Sequence, residues 1–178
     1  MSNIILLVGE SGCGKSTIAA KLETYGLKSI KSYTTRPVRE NDRKDADTHT
    51  FISNEEFDKL SDIVGYTEFN GYRYCATAEQ VGNADIWVID PNGVEYFRQT
   101  YKGIKKPIVV YIDVPEEERA VRMGHRGDNL RQISDRLAHD REAFKTARDM
   151  ADFVICNVDK HHLREGVDFI FNLVRFGT

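Results

Sequence analysis

The sequence predicts an α/β fold built on a parallel sheet, and three observations predict it. Apolar runs at 4–8, 86–89, 108–114 and 153–156 alternate with helix-like stretches. Several of these runs lack polar alternation, as strands covered on both faces do. The first run passes at once into a glycine-rich turn and then a helical pattern, the order of a strand-loop-helix unit.

Each element follows in order. Ile4-Ile5-Leu6-Leu7-Val8 is too short for a signal segment or a membrane span and reads as a buried strand. Helical stretches are expected at 15–25, 93–101, 116–126, 130–150 and 160–175. The longest carries Ile133, Leu137, Phe144 and Ala147 at core-like spacing, and Asp128 and Pro115 read as start signals. Between 32 and 81 the texture changes to short alternating segments with Tyr, Thr, the turn pair Asn70-Gly71 and one short helix near 54–60. That stretch reads as an insertion with its own small sheet. At 178 residues, 40% of them hydrophobic, the chain suits one domain. Its division is core at 1–31, 82–115 and 149–178, insertion at 32–81, and a lid with its following helix at 116–148.

A net charge of -3 gives no basic field for nucleic acid, so any anion site must be local. Cys13, Cys75 and Cys156 are scattered and form no CxxC pair, which argues against a disulfide framework or a structural zinc and suits a reducing cytoplasm. His49, His125, His139, His161 and His162 suggest no triad or metal site. Trp87 sits among apolar neighbours and reads as core.

Gly9-Glu10-Ser11-Gly12-Cys13-Gly14-Lys15-Ser16-Thr17 satisfies G-x-x-x-x-G-K-[ST] between a strand and a helix, the context a phosphate-binding P-loop requires. Its amides can face one anion, reinforced by the helix N-terminus. Lys15 would reach the β- and γ-phosphates of ATP, and the Ser16 hydroxyl would ligate Mg²⁺. Asp90 ends the second apolar run, where a parallel sheet presents its ligand edge. It reads either as a second Mg²⁺ ligand or as the cap of an Asp90-Pro91-Asn92-Gly93 turn.

Transfer between two phosphates gathers negative charge, so it needs arginines. Thr34-Thr35-Arg36-Pro37-Val38-Arg39 sets two on a segment that proline keeps extended, a candidate clamp on an acceptor phosphate. Arg119, Arg122, Arg126, Arg131, Arg136 and Arg141 form a second group. Most of these are expected to pair with Glu116, Glu117, Glu118, Asp135 or Asp140 at the surface. Arg126, flanked by Gly124 and Gly127, and Arg136 are the two selected for a lid over the donor phosphates.

These residues resemble the guanylate kinase family over nearly the whole chain. Ser32 to Arg39 is similar to its S-x-T-T-R-x-x-R segment, Phe51 to Phe57 to F-V-S-x-x-E-F, and Glu68 to Tyr74 to E-x-x-G-N-Y-Y. Arg126-Gly127, Asp135-Arg136-Leu137 and Asp152 to Asn157 are similar to its lid and closing-strand elements. The resemblance implies a P-loop NTPase core with a parallel five-stranded sheet flanked by helices, a small mixed β insertion that binds the monophosphate, and a helical lid. It implies ATP on Gly9, Ser11, Gly12, Cys13, Gly14, Lys15, Ser16 and Thr17, with Asn157 near the adenine. Arg36, Arg39 and Tyr74 would hold the acceptor phosphate, Ser32 would lie near its base with Asp90 beside it, and Arg126 and Arg136 would bridge the transferring phosphates. Departures gather where the family reads guanine: Gly65 replaces a Glu, Ala76 a Ser or Thr, Val88 an Asp, and His49 or Thr48 a Tyr.

The expected reaction is ATP-dependent phosphorylation of a nucleoside monophosphate, GMP or dGMP. Alternatives are another monophosphate as acceptor, or a non-catalytic guanylate kinase-like binding module. The complete P-loop argues against the module, and Arg36, Arg39 and Tyr74 argue against a bare hydrolase. Neither nucleic acid nor membrane is expected as a partner.

Overall fold

The computed structural model describes residues 2–38 and 49–177. The central sheet takes β1 (Asn3–Val8), β6 (Ile86–Val88), β7 (Lys106–Asp113) and β8 (Phe153–Cys156) in the order β6-β1-β7-β8, all parallel. Every residue of β1 is buried, which explains its unbroken apolar run. Its alternate side chains serve two cores. Ile4, Leu6 and Val8 join Trp87, Ile89, Val109 and Tyr111 on one face, under Val94 and Phe97 of α4 (Pro91–Thr100). Ile5 and Leu7 join Ile108, Val110 and Ile112 on the other, under α1 (Lys15–Thr24) and α7 (Lys160–Phe176).

The described sheet has four strands where five were expected. The missing edge is the segment before residue 31, which makes a single parallel bridge between Ser29 and Ile86. Leu27 and Ile30 are buried there, and Ile30 and Lys28 exchange backbone hydrogen bonds with Ile86.

The insertion forms the second sheet, β3-β2-β5-β4, from β2 (Ser32–Thr34), β3 (His49–Phe51), β4 (Ile63–Phe69) and β5 (Tyr72–Thr77). Only β2 and β3 run parallel. Asn70 and Gly71, at φ 51° and 76°, make the two-residue turn of the β4-β5 hairpin, a backbone that these residue types tolerate. Between β3 and β4 lies the short helix α2 (Asn54–Phe57), held by a Ser53-Glu56 capping box.

Helix α3 (Ala78–Asn83) was not foreseen; Thr77 and Gln80 start it with another capping box. The lid region holds α5 (Glu116–His125) and α6 (Leu130–Ala143). Pro115 starts α5 as expected, whereas α6 starts at Asn129 rather than Asp128, because Asn129 and Gln132 cap each other's amides. Helix α6 stops seven residues before the expected Met150. Tight turns through Phe144, Thr146 and Arg148 replace it and bury Ala147 as the chain enters β8.

Candidate active site

The loop after β1 turns on glycines that no other residue could replace. Gly12 has φ 81°, and a Cβ there would stand 2.8 Å from the Arg119 carbonyl oxygen of α5. Gly14 has φ 97°, caps α1 in the left-handed region, and would drive a Cβ into the Asn157 amide. Lys15 folds along the loop, its Nζ donating to the carbonyls of Gly9 at 2.6 Å and Glu10 at 3.0 Å. Ser16 and Thr17 are exposed on the first turn of α1, and Cys13 is fully buried on the core side. Asn157 is buried as well and donates to the Cys13 carbonyl at 2.8 Å. It braces the loop from behind.

In front of the loop lies a cavity of about 310 Å³, a size suited to a small ligand. Gly9, Ser11 and Lys15 line one end, Ser32, Gly65, Tyr74 and Trp87 another, and Asp90, Arg136, His139, Asp140 and Phe144 complete the walls. Edge-on contact between Phe69 and His139, with ring centres 4.7 Å apart, joins the tip of the second sheet to the lid helix. Asp90 caps α4 by accepting the Gly93 amide at 2.6 Å. That satisfies the cap reading, and its place in the cavity wall leaves the ligand reading compatible with the same residue.

A buried charge cluster supports the loop. The Arg119 guanidinium, 4% exposed, stands 3.4 Å from Glu10 and 3.5 Å from Asp140. Asp140 also accepts the Ser11 amide at 2.7 Å, so a carboxylate of the lid helix meets the anion-binding loop directly. Tyr111 donates to the other Glu10 oxygen at 2.6 Å, and burial together with this bond raises the phenol above its ordinary range. Burial likewise pushes the Cys75 thiol up to about 12.

The guanylate kinase family model matches residues 1–168. The chain belongs to the guanylate kinase family. It thereby joins the ATP:nucleoside monophosphate phosphotransferases. A guanylate kinase of Mycoplasmopsis pulmonis (strain UAB CTIP) is 31% identical, with 94% of this chain and 93% of that protein covered. One from Anaplasma phagocytophilum (strain HZ) is 30% identical over 97% of this chain and 85% of its own length. The crystal structure of guanylate kinase from Anaplasma phagocytophilum superposes with a TM-score of 0.65, covering 98% of this chain and 85% of that one at 24% identity. A gluconokinase from Sinorhizobium meliloti 1021 shares the fold at a TM-score of 0.55 and 18% identity, covering 97% and 94%.

Within this guanylate kinase-family fold, the expected site residues divide. Gly9, Ser11, Lys15, Ser32, Tyr74, Asp90 and Arg136 meet in the one cavity. Arg36 is buried and not part of that lining, its guanidinium 5.2 Å from the Phe51 ring centre and donating to the Pro37 carbonyl at 3.1 Å. Arg126 is exposed and ion-paired with Asp128, outside the cavity wall. Arg39 and Thr48 lie outside the described residues.

Arg122, Arg131 and Arg141 pair with Glu118, Asp135 and Glu116 as expected, but Arg119 is buried rather than solvated. Sequence reasoning also did not select Asp140 or His139 for the site, and it read Trp87 as core alone. No local pattern marks them, since their partners lie far away in the chain.

Proposed function

We propose that the chain transfers the γ-phosphate of ATP to GMP or dGMP. One observation carries this reading: the phosphate loop and the Ser32-Tyr74 wall open into a single cavity, so a donor and an acceptor can meet end to end. The loop amides and Lys15 hold the β- and γ-phosphates, turning Lys15 away from the carbonyls it now contacts. Arg36, Arg39 and Tyr74 hold the acceptor phosphate, and Ser32 faces its base. Arg136 neutralises charge developing on the transferred group, and Arg126 joins it by exchanging Asp128 for phosphate. Asn157 acts at the adenine side of the loop it braces.

Among the described residues no three His, Cys, Asp or Glu side chains converge to hold a metal. The exposed Ser16 hydroxyl and Asp90 in the cavity wall suit Mg²⁺, which binds through one or two protein oxygens and the substrate's own phosphates. Ser16 and Asp90 would hold it, and it would supply neutralisation of the phosphate charge. Among the described residues no helix is long and apolar enough to cross a membrane. The three cysteines are unpaired, which supports a cytoplasmic location.

A coupled assay with ATP and GMP, dGMP, AMP, CMP, UMP or dTMP tests the reading. GMP and dGMP should give the highest kcat/KM. ATP hydrolysis that no monophosphate accelerates would refute it.

A further inference from the structure

Asp140 stands where neither its helix nor its cavity favours a negative charge. It lies in the last turn of α6, whose C-terminus is the negative end of the helix dipole. It also lines the cavity beside the phosphate loop, one turn from Arg136 on the same helix face. Its carboxylate is nevertheless buried, and the contacts that hold it come from other elements.

Those contacts are of two kinds. Oδ2 accepts the Ser11 amide at 2.7 Å, a directional bond between a charged acceptor and the phosphate loop. The same oxygen is 3.5 Å from Arg119 Nη1, which makes no hydrogen bond among the described residues. Arg119 is held by its other nitrogens, Nε donating to the Val114 carbonyl at 3.2 Å and Nη2 facing Glu10 at 3.4 Å. The guanidinium therefore gives Asp140 charge compensation, and the Ser11 amide gives it direction.

The next loop residue repeats the arrangement on the other lid helix. Gly12 packs so closely on Arg119 of α5 that a Cβ would stand 2.8 Å from its carbonyl oxygen. Ser11 and Gly12, consecutive in the loop, thus meet α6 and α5. Four residues of α6, about 6 Å of rigid helix, connect Asp140 to Arg136. Fixing the carboxylate on the loop fixes where the Arg136 side chain begins.

We infer that Asp140 is a positioning residue for phosphoryl transfer: through its hydrogen bond to the Ser11 amide it registers α6 on the phosphate loop, so that Arg136 meets the phosphate being transferred. The inference rests on the transfer reaction proposed above and deepens it. Asp140 acts through Arg136 rather than on a reacting atom. Its charge, paired with Arg119, serves stability and its hydrogen bond serves turnover, so the two can be separated.

The test compares Asp140→Asn with Asp140→Ala, each in the wild-type and Arg136→Ala backgrounds, by kcat and KM with ATP and GMP. Both variants remove the charge facing Arg119, and both should lower the urea midpoint. Asparagine keeps an oxygen for the Ser11 amide, so kcat should stay within about threefold of wild type. Alanine removes it, and kcat should fall by about a hundredfold, the cost of a misplacement of about 1 Å, while the KM for GMP stays within about threefold. In the Arg136→Ala background the same alanine substitution should lower kcat by no more than about threefold, because the residue it positions is gone. A merely structural role would lower kcat alike in both backgrounds. Equal kcat for Asp140→Asn and Asp140→Ala, or a loss in Asp140→Ala undiminished by Arg136→Ala, would overturn the inference and leave the kinase reading standing. Should Asp140→Ala fail to fold, Asp140→Glu, one methylene longer, takes its place with the same expected losses. Wild-type protein that hydrolyses ATP without phosphorylating GMP would overturn both.

Discussion

Replacing Asp140 with alanine should destabilise the fold by about 3 kcal/mol, far more than loss of an ordinary surface carboxylate. The structure sets the scale. Arg119 and Asp140 are each 4% exposed and 3.5 Å apart, and removing one partner of a buried pair costs about 3–5 kcal/mol. Arg119 keeps Glu10 at 3.4 Å and Glu116 at 3.9 Å, so roughly half of that cost remains, about 2 kcal/mol. The Ser11 amide loses its charged acceptor as well, adding about 1 kcal/mol because loop solvent partly replaces it. Urea unfolding followed by Trp87 fluorescence would read the change. With an m-value of about 2 kcal/mol/M, the midpoint should fall by about 1.5 M. Asp135→Ala is the control, since the Arg131-Asp135 pair spans 4.0 Å at 92% and 74% exposure and should barely move the midpoint. Equal midpoints for the two variants would refute the buried-cluster reasoning.

Lys15→Ala should stay folded, because its contacts are to loop carbonyls, while phosphoryl transfer falls by orders of magnitude; full turnover in the coupled assay would contradict the donor site. Arg36→Ala should raise the KM of the monophosphate and lower kcat, leaving the KM for ATP alone. A change confined to ATP would count against its place at the acceptor. Gly65→Ala should cost about 1–3 kcal/mol in thermal or urea unfolding, since the added methyl meets the Trp87 ring with no space to move into. At pH 8 a thiol reagent should label exposed Cys156 quickly in the native protein and all three cysteines after denaturation. The Cys75 pKa is raised from 9.0 to about 12 in the fold, so its neutral form is favoured there. Its contribution is whole below pH 9 and drains as pH rises toward 12, so Cys75→Ala should lose less stability than wild type between pH 8 and 11.

What the sequence determined by itself is whatever depends on neighbours in the chain. Gly9 to Thr17 form an anion loop because consecutive amides and glycine backbones do it locally, and Ile4 to Val8 announce a buried strand because both faces must be apolar. Asn70-Gly71 and the Ser53-Glu56 pair specify their turn and helix start by the same short-range logic. The α6 start lies one residue past the expected Asp128, because Asn129 and Gln132 form the capping box. Tertiary structure alone decided which distant groups meet. Asp140 reaches Ser11 across 129 positions, and Trp87 reaches Ser32 across 55. Arg119 looks in sequence like its solvated neighbours, yet the packing of α5 on the phosphate loop buries it. The expected fifth strand is likewise reduced to a single bridge, Ser29 to Ile86, an outcome of how that segment meets β6. Local backbone preference is written residue by residue, whereas burial and charge pairing arise only when separate elements close on one another.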